Sequence, residues 1–163
     1  MKKILIALDY DPTAQEIAET GYAFAKSMNA QVILLHVTSD YVYYSSLDYS
    51  PILGYDSFSN LGMLQTNTIE ELHKAAQNYL DTTKQHLGDQ TIQTIVKDGD
   101  FGEVILSTAN ELNVDIIVMG THGRRGLDKI LMGSVAEKVL SHTNLPLFII
   151  PTKKEEEKKK EAV

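Results

Sequence analysis

Cysteine is absent from the 163-residue sequence, and so is any long apolar run. The absence of cysteine excludes disulfides, thiolate metal sites and thiol nucleophiles, and it fits a reducing compartment. A membrane-spanning helix needs about 20 apolar residues, whereas the apolar run after Lys3 stops at Asp9. We therefore expect a cytoplasmic protein with no membrane partner.

Positive charge is also scarce, because 15 Lys and Arg stand against 22 Asp and Glu, for a net charge of −7. Such a balance disfavours broad binding to nucleic acid, so no nucleic-acid partner is expected. The length predicts one domain, which we place at 1–151 with a tyrosine-rich excursion at 38–63. The last residues, 152–163, are rich in Lys and Glu and predict a charged, disordered tail.

Apolar runs and helical spacings alternate along the chain. Unbroken runs at 4–8 and 116–119 are typical of strands buried on both faces of a parallel sheet. Further strands are predicted at 31–37, 91–97 and 147–150, the second of them at an edge because it contains polar residues. The helices are predicted at 11–29, with Asp11 as N-cap and Pro12 first, at 64–87, stopped by Gly88, at 100–112, capped by Asp100 with Glu103, and at 134–142.

Five strands alternating with four helices predict a doubly wound α/β fold, with five parallel strands in the flavodoxin-like order 3-2-1-4-5. In that order the switch point lies between the first and fourth strands, where ligands of open α/β sheets bind. Asp9 follows the first strand, and Gly120 follows the apolar run of the fourth. The candidate site is therefore expected at this crevice.

The segment after the fourth strand is rich in glycine. Gly120 and Gly123 are expected to allow positive φ and the close approach of a ligand to the main chain, and Gly133 and Ser134 open the next helix. A glycine turn and a helix N-terminus together can hold phosphates. The alternative is a capping box, in which Ser134 and Glu137 satisfy the first amides of the helix without a ligand.

The tyrosine-rich excursion allows two interpretations. Five of the chain's eight tyrosines fall within 38–63, and a loop of this length is usually functional or poorly ordered. It is either a wall over the ligand, with a tyrosine against a nucleobase, or a surface segment that covers neighbouring helices or a partner subunit. The second interpretation is favoured, because tyrosines are common in such packing roles.

The spacing Gly120-x-x-Gly123, nine residues, then Gly133-Ser134 resembles in full the G-2x-G-9x-G-[S/T] signature of ATP-binding universal stress proteins, and the similarity extends over 3–150. The resemblance implies an adenine nucleotide alpha-hydrolase-like fold that binds ATP, with site residues carried over by position. Asp9 would face the nucleoside, and the backbone of Val37 would meet the adenine. Ribose and the first phosphates would lie against Met119, Gly120 and Gly123, and the outer phosphates against Gly133, Ser134 and Val135.

The same resemblance implies a stress-response regulatory protein that acts as a nucleotide-dependent switch or sensor, and a homodimer formed through the last strand at 147–150. His122 and Arg125 are candidates to assist the phosphates. No protein metal site is expected, so Mg²⁺ or Mn²⁺ would be held only with the nucleotide. No catalytic residue is assigned. Three alternatives stay open: a slow ATPase using Asp9, His122 or Arg125, a nucleotide-independent dimeric interaction module, and a cyclic AMP binder.

Overall fold

The structure is a computed structural model, and it describes residues 1–9, 13–38, 69–121 and 133–152. In these ranges strands and helices alternate. The elements are β1 (Lys3–Ala7), α1 (Ala14–Ser27), β2 (Gln31–Thr38), α2 (Ile69–Leu87), β3 (Gln93–Asp98), α3 (Phe101–Glu111), β4 (Ile116–Gly120), α4 (Ser134–His142) and β5 (Leu147–Ile150). The tyrosine-rich excursion after Thr38 and the charged tail after Thr152 lie outside the described residues.

The five strands form one parallel sheet in the order β3-β2-β1-β4-β5. The central strand is β1, in which Leu5 pairs with Ile33 of β2 on one side and with Ile117 of β4 on the other. The predicted doubly wound α/β class and the 3-2-1-4-5 order are both confirmed. β3 lies at an edge, as its polar residues predict, and β5 lies at the opposite edge.

Helices cover both faces of the sheet, which explains why the central strands are apolar without alternation. Ile4 and Ile6 pack in a core cluster with Ile17 of α1 and Leu80 of α2. Leu5 points to the other face, in the cluster that contains residues of α3 and α4. Fully burying one such Ile or Leu side chain contributes roughly 1.5–3 kcal/mol, so the two layers together hold β1 rigidly in the middle of the domain.

The observed start of α1 differs from the prediction. Its N-cap is Thr13 and its first residue Ala14, so the predicted start at Asp11 and Pro12 is wrong for the helix as observed. Helix ends fray, and the assigned first residue commonly shifts by one or two positions. Asp11 and Pro12 themselves lie outside the described residues.

The other element ends agree with their sequence signals. α2 stops before Gly88, whose φ of 70° places it in the left-handed region that favours glycine. Asp100 caps α3, because its Oδ1 accepts the amide of Glu103 at 3.0 Å. β3 begins two residues later than predicted, at Gln93. In the part of the chain that the structure describes, no helix is long and apolar enough to cross a membrane.

Candidate functional site

The ends of β1 and β2 bring Asp9 and Val37 to the same level of the carboxyl edge. The last paired residues of the two strands are Ala7 and Leu35, and the amide of Leu8 donates to the carbonyl of Leu35 at 2.9 Å. Two residues further along each strand lie Asp9 and Val37. Asp9 is half-buried at this edge, so the structure brings together the two residues expected at the nucleoside end.

Thr121 attaches the start of α4 to the end of β4. The amide of Gly133 donates to the carbonyl of Thr121 at 2.7 Å. Thr121 is itself fixed, because its amide donates to the carbonyl of Ile150 at 3.1 Å and its hydroxyl oxygen accepts the amide of Thr152 at 3.2 Å. Three separate stretches of chain therefore meet at Thr121, and the N-terminus of α4 is placed at the carboxyl edge of the sheet.

The first turn of α4 presents main-chain donors at this edge. Gly133 is the N-cap and makes no side-chain cap hydrogen bond. The first amide to donate within the helix is that of Glu137, to the carbonyl of Gly133 at 3.0 Å. The three preceding amides, those of Ser134, Val135 and Ala136, have no intrahelical acceptor. Together with the helix dipole they form a site suited to an anion.

The capping-box alternative for Ser134 is wrong. Ser134 is the first residue inside α4, one position after the cap, and its side chain is exposed. A capping box needs the serine at the N-cap, where its oxygen reaches the amide of the third helical residue. Glycine occupies that place here, so neither Ser134 nor Glu137 closes the first turn of the helix.

The structure describes two glycines of the signature, Gly120 and Gly133, and glycine suits these two positions for different reasons. A Cβ on Gly120 would lie 2.3 Å from Cδ1 of Ile17 and 3.5 Å from Cγ2 of Thr152. Gly120 ends β4 and does not use the positive φ that glycine allows, since the positive-φ glycines of the described residues are Gly88 and Gly99. Close packing against α1 therefore explains Gly120.

Gly133 has a backbone that any residue adopts, with φ of −61° and ψ of 157°. Its conformation does not require glycine. Glycine at this position puts no side chain of its own beside the three amides that follow it, which suits a main chain that a ligand approaches closely.

The remaining predicted residues divide into two groups. The side chains of Val37 and Met119 are buried, with 4% and 5% exposed, in the cluster that also holds Ala136. Only their main chains are therefore placed to meet a ligand. Gly123, His122 and Arg125 lie outside the described residues. Among the described residues there is no group of three His, Cys, Asp or Glu side chains arranged to hold a metal ion.

Tyr79 and His36 are neighbours of the site that sequence reasoning missed. The hydroxyl of Tyr79, on α2, donates to the carbonyl of Asp9 at 3.1 Å. Nδ1 of His36, on β2, lies 2.8 Å from the carbonyl of Leu8. Because a carbonyl only accepts, Nδ1 carries the proton. Burial lowers the pKa of His36, which keeps the ring neutral at pH 7.

The signal for His36 was present but weak: it is the one ionisable residue in the otherwise apolar part of β2 from Val32 to Val37. The contact of Tyr79 had no sequence signal, because 70 residues separate it from Asp9. A second unpredicted cluster lies nearby at the ends of β2 and β3. There Asp98 accepts a hydrogen bond from the hydroxyl of Thr38 and pairs with Nε2 of His73.

Comparisons with known proteins agree on one family. The model of the universal stress protein family matches residues 1–151. Universal stress protein MJ0577 of Methanocaldococcus jannaschii is 31% identical over 155 residues, which cover 93% of this chain and 96% of that protein. Universal stress protein A homolog 1 of Coxiella burnetii is 35% identical over 144 residues, which cover 85% of this chain and 88% of that protein.

Solved structures give the same fold. The structure of MJ0577 aligns with a TM-score of 0.69 and 30% sequence identity, covering 94% of this chain and 97% of the other. A universal stress protein solved in complex with cAMP aligns with a TM-score of 0.61 and 15% identity, covering 93% of this chain and 98% of the other. At that identity the second likeness concerns the fold alone.

Proposed function

The chain belongs to the universal stress protein family, and from this we propose that it binds ATP and acts as a nucleotide-dependent regulatory switch in stress responses. The site is the carboxyl edge of the sheet, between the end of β1 and the start of α4. The nucleoside lies at Asp9 and the main chain of Val37. The phosphates lie at Met119 and at the first turn of α4, where Gly133, Ser134 and Val135 receive them.

One observation carries this proposal: the amide of Gly133 donates to the carbonyl of Thr121 at 2.7 Å, which holds the N-terminus of α4 at the carboxyl end of β4. Phosphate oxygens accept main-chain amide hydrogen bonds and are attracted by the positive end of the helix dipole. The hydroxyl of Ser134 adds a fourth donor beside the three amides. This set suits a chain of phosphates better than a neutral ligand.

The nucleoside end is chemically different from the phosphate end. A carboxylate such as Asp9 accepts hydrogen bonds from ribose hydroxyls, and main-chain groups at Val37 can donate to and accept from an adenine edge. Mg²⁺ or Mn²⁺ would enter with the nucleotide, held by phosphates and water. Binding and release, rather than rapid turnover, then carry the signal to a partner.

Titration calorimetry tests the proposal with protein stripped of bound ligand and with four ligands: ATP, ADP, AMP and cyclic AMP, each with and without Mg²⁺. We expect saturable binding of ATP in the micromolar range, that is about −8 kcal/mol, with affinity decreasing as phosphates are removed. Tighter binding of cyclic AMP than of ATP would favour the cyclic nucleotide as the ligand. No saturable binding of any of the four would refute the proposal.

We also propose that the active form is a homodimer that pairs through β5. This strand is at an edge of the sheet, and its apolar residues Leu147, Phe148 and Ile149 are only partly buried in the single chain. An unpaired apolar edge strand readily pairs with a second copy. Pairing of two β5 strands would cover the edge and join the two sheets.

A further inference from the structure

The last two residues of the described N-terminal segment are held by side chains from two other elements. The carbonyl of Leu8 receives His36 Nδ1 at 2.8 Å, and the next carbonyl, that of Asp9, receives the hydroxyl of Tyr79 at 3.1 Å. Both bonds come from the face of the sheet that α2 covers. Main-chain carbonyls away from solvent need a hydrogen-bond donor, and here two side chains supply it.

His36 and Tyr79 also contact each other. Their ring centroids are 6.0 Å apart with the planes at 77°, an edge-to-face arrangement. His36 is almost fully buried, with 1% of its surface exposed, so its ring has no freedom to turn away from Leu8. The pair therefore forms a rigid support beneath the end of β1.

We infer that Tyr79 is a positioning residue for the nucleoside end of the site, fixing Asp9 through its main chain with His36 as the rigid base. The inference rests on the proposed function, and it adds which elements order each end of the ligand. α2 orders the end that meets ribose and base, whereas Thr121 and α4 order the end that meets phosphates. Tyr79 does not itself touch the ligand.

If α2 orders only the nucleoside end, loss of the Tyr79 hydroxyl should weaken binding of the nucleoside but not of the phosphates. Tyr79→Phe keeps the ring against His36 and removes the hydroxyl that donates to Asp9. We expect the dissociation constant of ATP to rise about 3- to 10-fold, the effect of one lost hydrogen bond. Binding of inorganic tripolyphosphate, which has no nucleoside, should stay unchanged, because the donors of α4 are intact.

Tyr22→Phe is the matched control. The hydroxyl of Tyr22 donates to Asp89 at 2.9 Å, and Asp89 lies between the end of α2 and the start of β3, at the amino edge of the sheet. Like Tyr79→Phe, this variant removes one tyrosine hydroxyl that donates from a helix to a loop. The lost bond, however, lies at the opposite edge of the sheet from Asp9. It should bind both ligands as the wild type does.

The experiment is calorimetric titration of the full chain and both variants with ATP and with tripolyphosphate. A selective loss of ATP affinity in Tyr79→Phe supports the inference. Equal affinity of Tyr79→Phe and wild type for ATP, or equal weakening for both ligands, overturns it while leaving the proposed ATP site in place. Wild-type protein that binds neither ligand refutes the proposed function and this inference together.

Discussion

The amide of Gly133 donates to the carbonyl of Thr121 over 2.7 Å, although the two residues are separated by the glycine-rich segment. This bond holds the start of α4 beside the end of β4, and with it the three amides of the first turn that have no acceptor within the helix. Since Thr121 is also bonded to Ile150 and Thr152, the helix N-terminus is held by β4 and β5 together. The candidate phosphate site is thus part of the rigid sheet edge.

Gly133→Ser should separate ligand binding from stability. Serine is a preferred N-cap, and the backbone at Gly133 suits it, so the free energy of unfolding should stay within about 0.5 kcal/mol of wild type. Its hydroxyl oxygen would accept the amides of the first turn, and its Cβ would obstruct phosphates. We expect ATP affinity to fall at least about 10-fold, measured by calorimetry beside urea unfolding. Unchanged ATP affinity would show that the first turn of α4 does not bind the phosphates.

Gly120→Ala, in contrast, should lower the free energy of unfolding. The new methyl would meet Cδ1 of Ile17 at 2.3 Å, and overpacking of a core costs typically about 1–3 kcal/mol. Urea unfolding should show this loss. The double variant Gly120→Ala with Ile17→Val removes the clashing methyl and should recover part of the stability. If the double variant is less stable than Gly120→Ala by the full cost of Ile17→Val, the packing explanation is incorrect.

The sequence predicted the architecture well because its strongest signals are local or periodic. Unbroken apolar runs identified β1 and β4, and Gly88 marked the end of α2. The confirmed strand order places the ends of β1 and β4 side by side, at the edge where the signature predicts the site. Glycine spacing, however, does not say why a glycine is needed: Gly120 looks like a phosphate-loop residue in sequence but is required by the packing of Ile17.

Contacts between distant residues were beyond sequence reasoning. Tyr79 fitted the apolar face of an amphipathic helix, and nothing in the helix pattern shows that its hydroxyl reaches Asp9. The prediction of Ser134 as the N-cap of α4 was wrong for a different reason. Ser134 and Glu137 have the spacing of a capping box, but the N-cap lies one residue earlier, at Gly133, whose amide is bonded to Thr121.

The proposed dimer can be broken without damage to the sheet. The amide of Thr121 bonds the carbonyl of Ile150, and the amide of Ile117 bonds that of Pro146. Alternate residues of a strand point the same way, so the amide of Ile149 points outward. Ile149→Pro should therefore give a monomer by light scattering and keep the bonds between β4 and β5, with a loss of stability limited to that of the partly buried Ile149 side chain.

Phe148→Pro is the control for this edge, because the amide of Phe148 points towards β4. That variant should be clearly destabilised, since proline removes a bond of the ladder. A wild-type protein that is already monomeric at micromolar concentration would contradict the proposed dimer. So would an Ile149→Pro variant that remains a dimer.

The buried His36 should make folding sensitive to mild acid. Burial holds its pKa below the usual 6.5 in the native state, so below that pH the unfolded chain binds a proton that the native ring does not. Stability is then retained above about pH 6.5 and decreases as the pH falls further, by at most about 1.4 kcal/mol per pH unit from this group.

Urea unfolding of wild type and His36→Asn, compared between about pH 8 and about pH 5.5, measures this contribution. The amide nitrogen of asparagine takes the place of Nδ1 as donor to Leu8 but does not titrate. The decline with falling pH should be shallower in the variant. Identical slopes for the two proteins would show that His36 is not the group responsible.

Asp100 should stabilise the fold mainly by capping α3, and only a little through its charge. Its Oδ1 accepts the amide of Glu103 at 3.0 Å and also receives Lys138 Nζ at 2.8 Å. Asp100→Ala should cost about 1 kcal/mol in urea unfolding. Asp100→Asn keeps a capping oxygen and loses only an exposed ion pair, so it should differ little from wild type. Equal losses in both variants would assign the effect to the charge.

The most direct test of the proposed site is an NMR titration of ¹⁵N-labelled protein with ATP and Mg²⁺, following the amides of the described residues. The account predicts large, saturable shifts at Ser134, Val135 and Ala136, with further shifts at Asp9 and Val37. Saturable shifts confined to the amino edge of the sheet, around Asp89 and Thr91, would place the nucleotide elsewhere and contradict the account. An absence of saturable shifts throughout would contradict ATP binding itself.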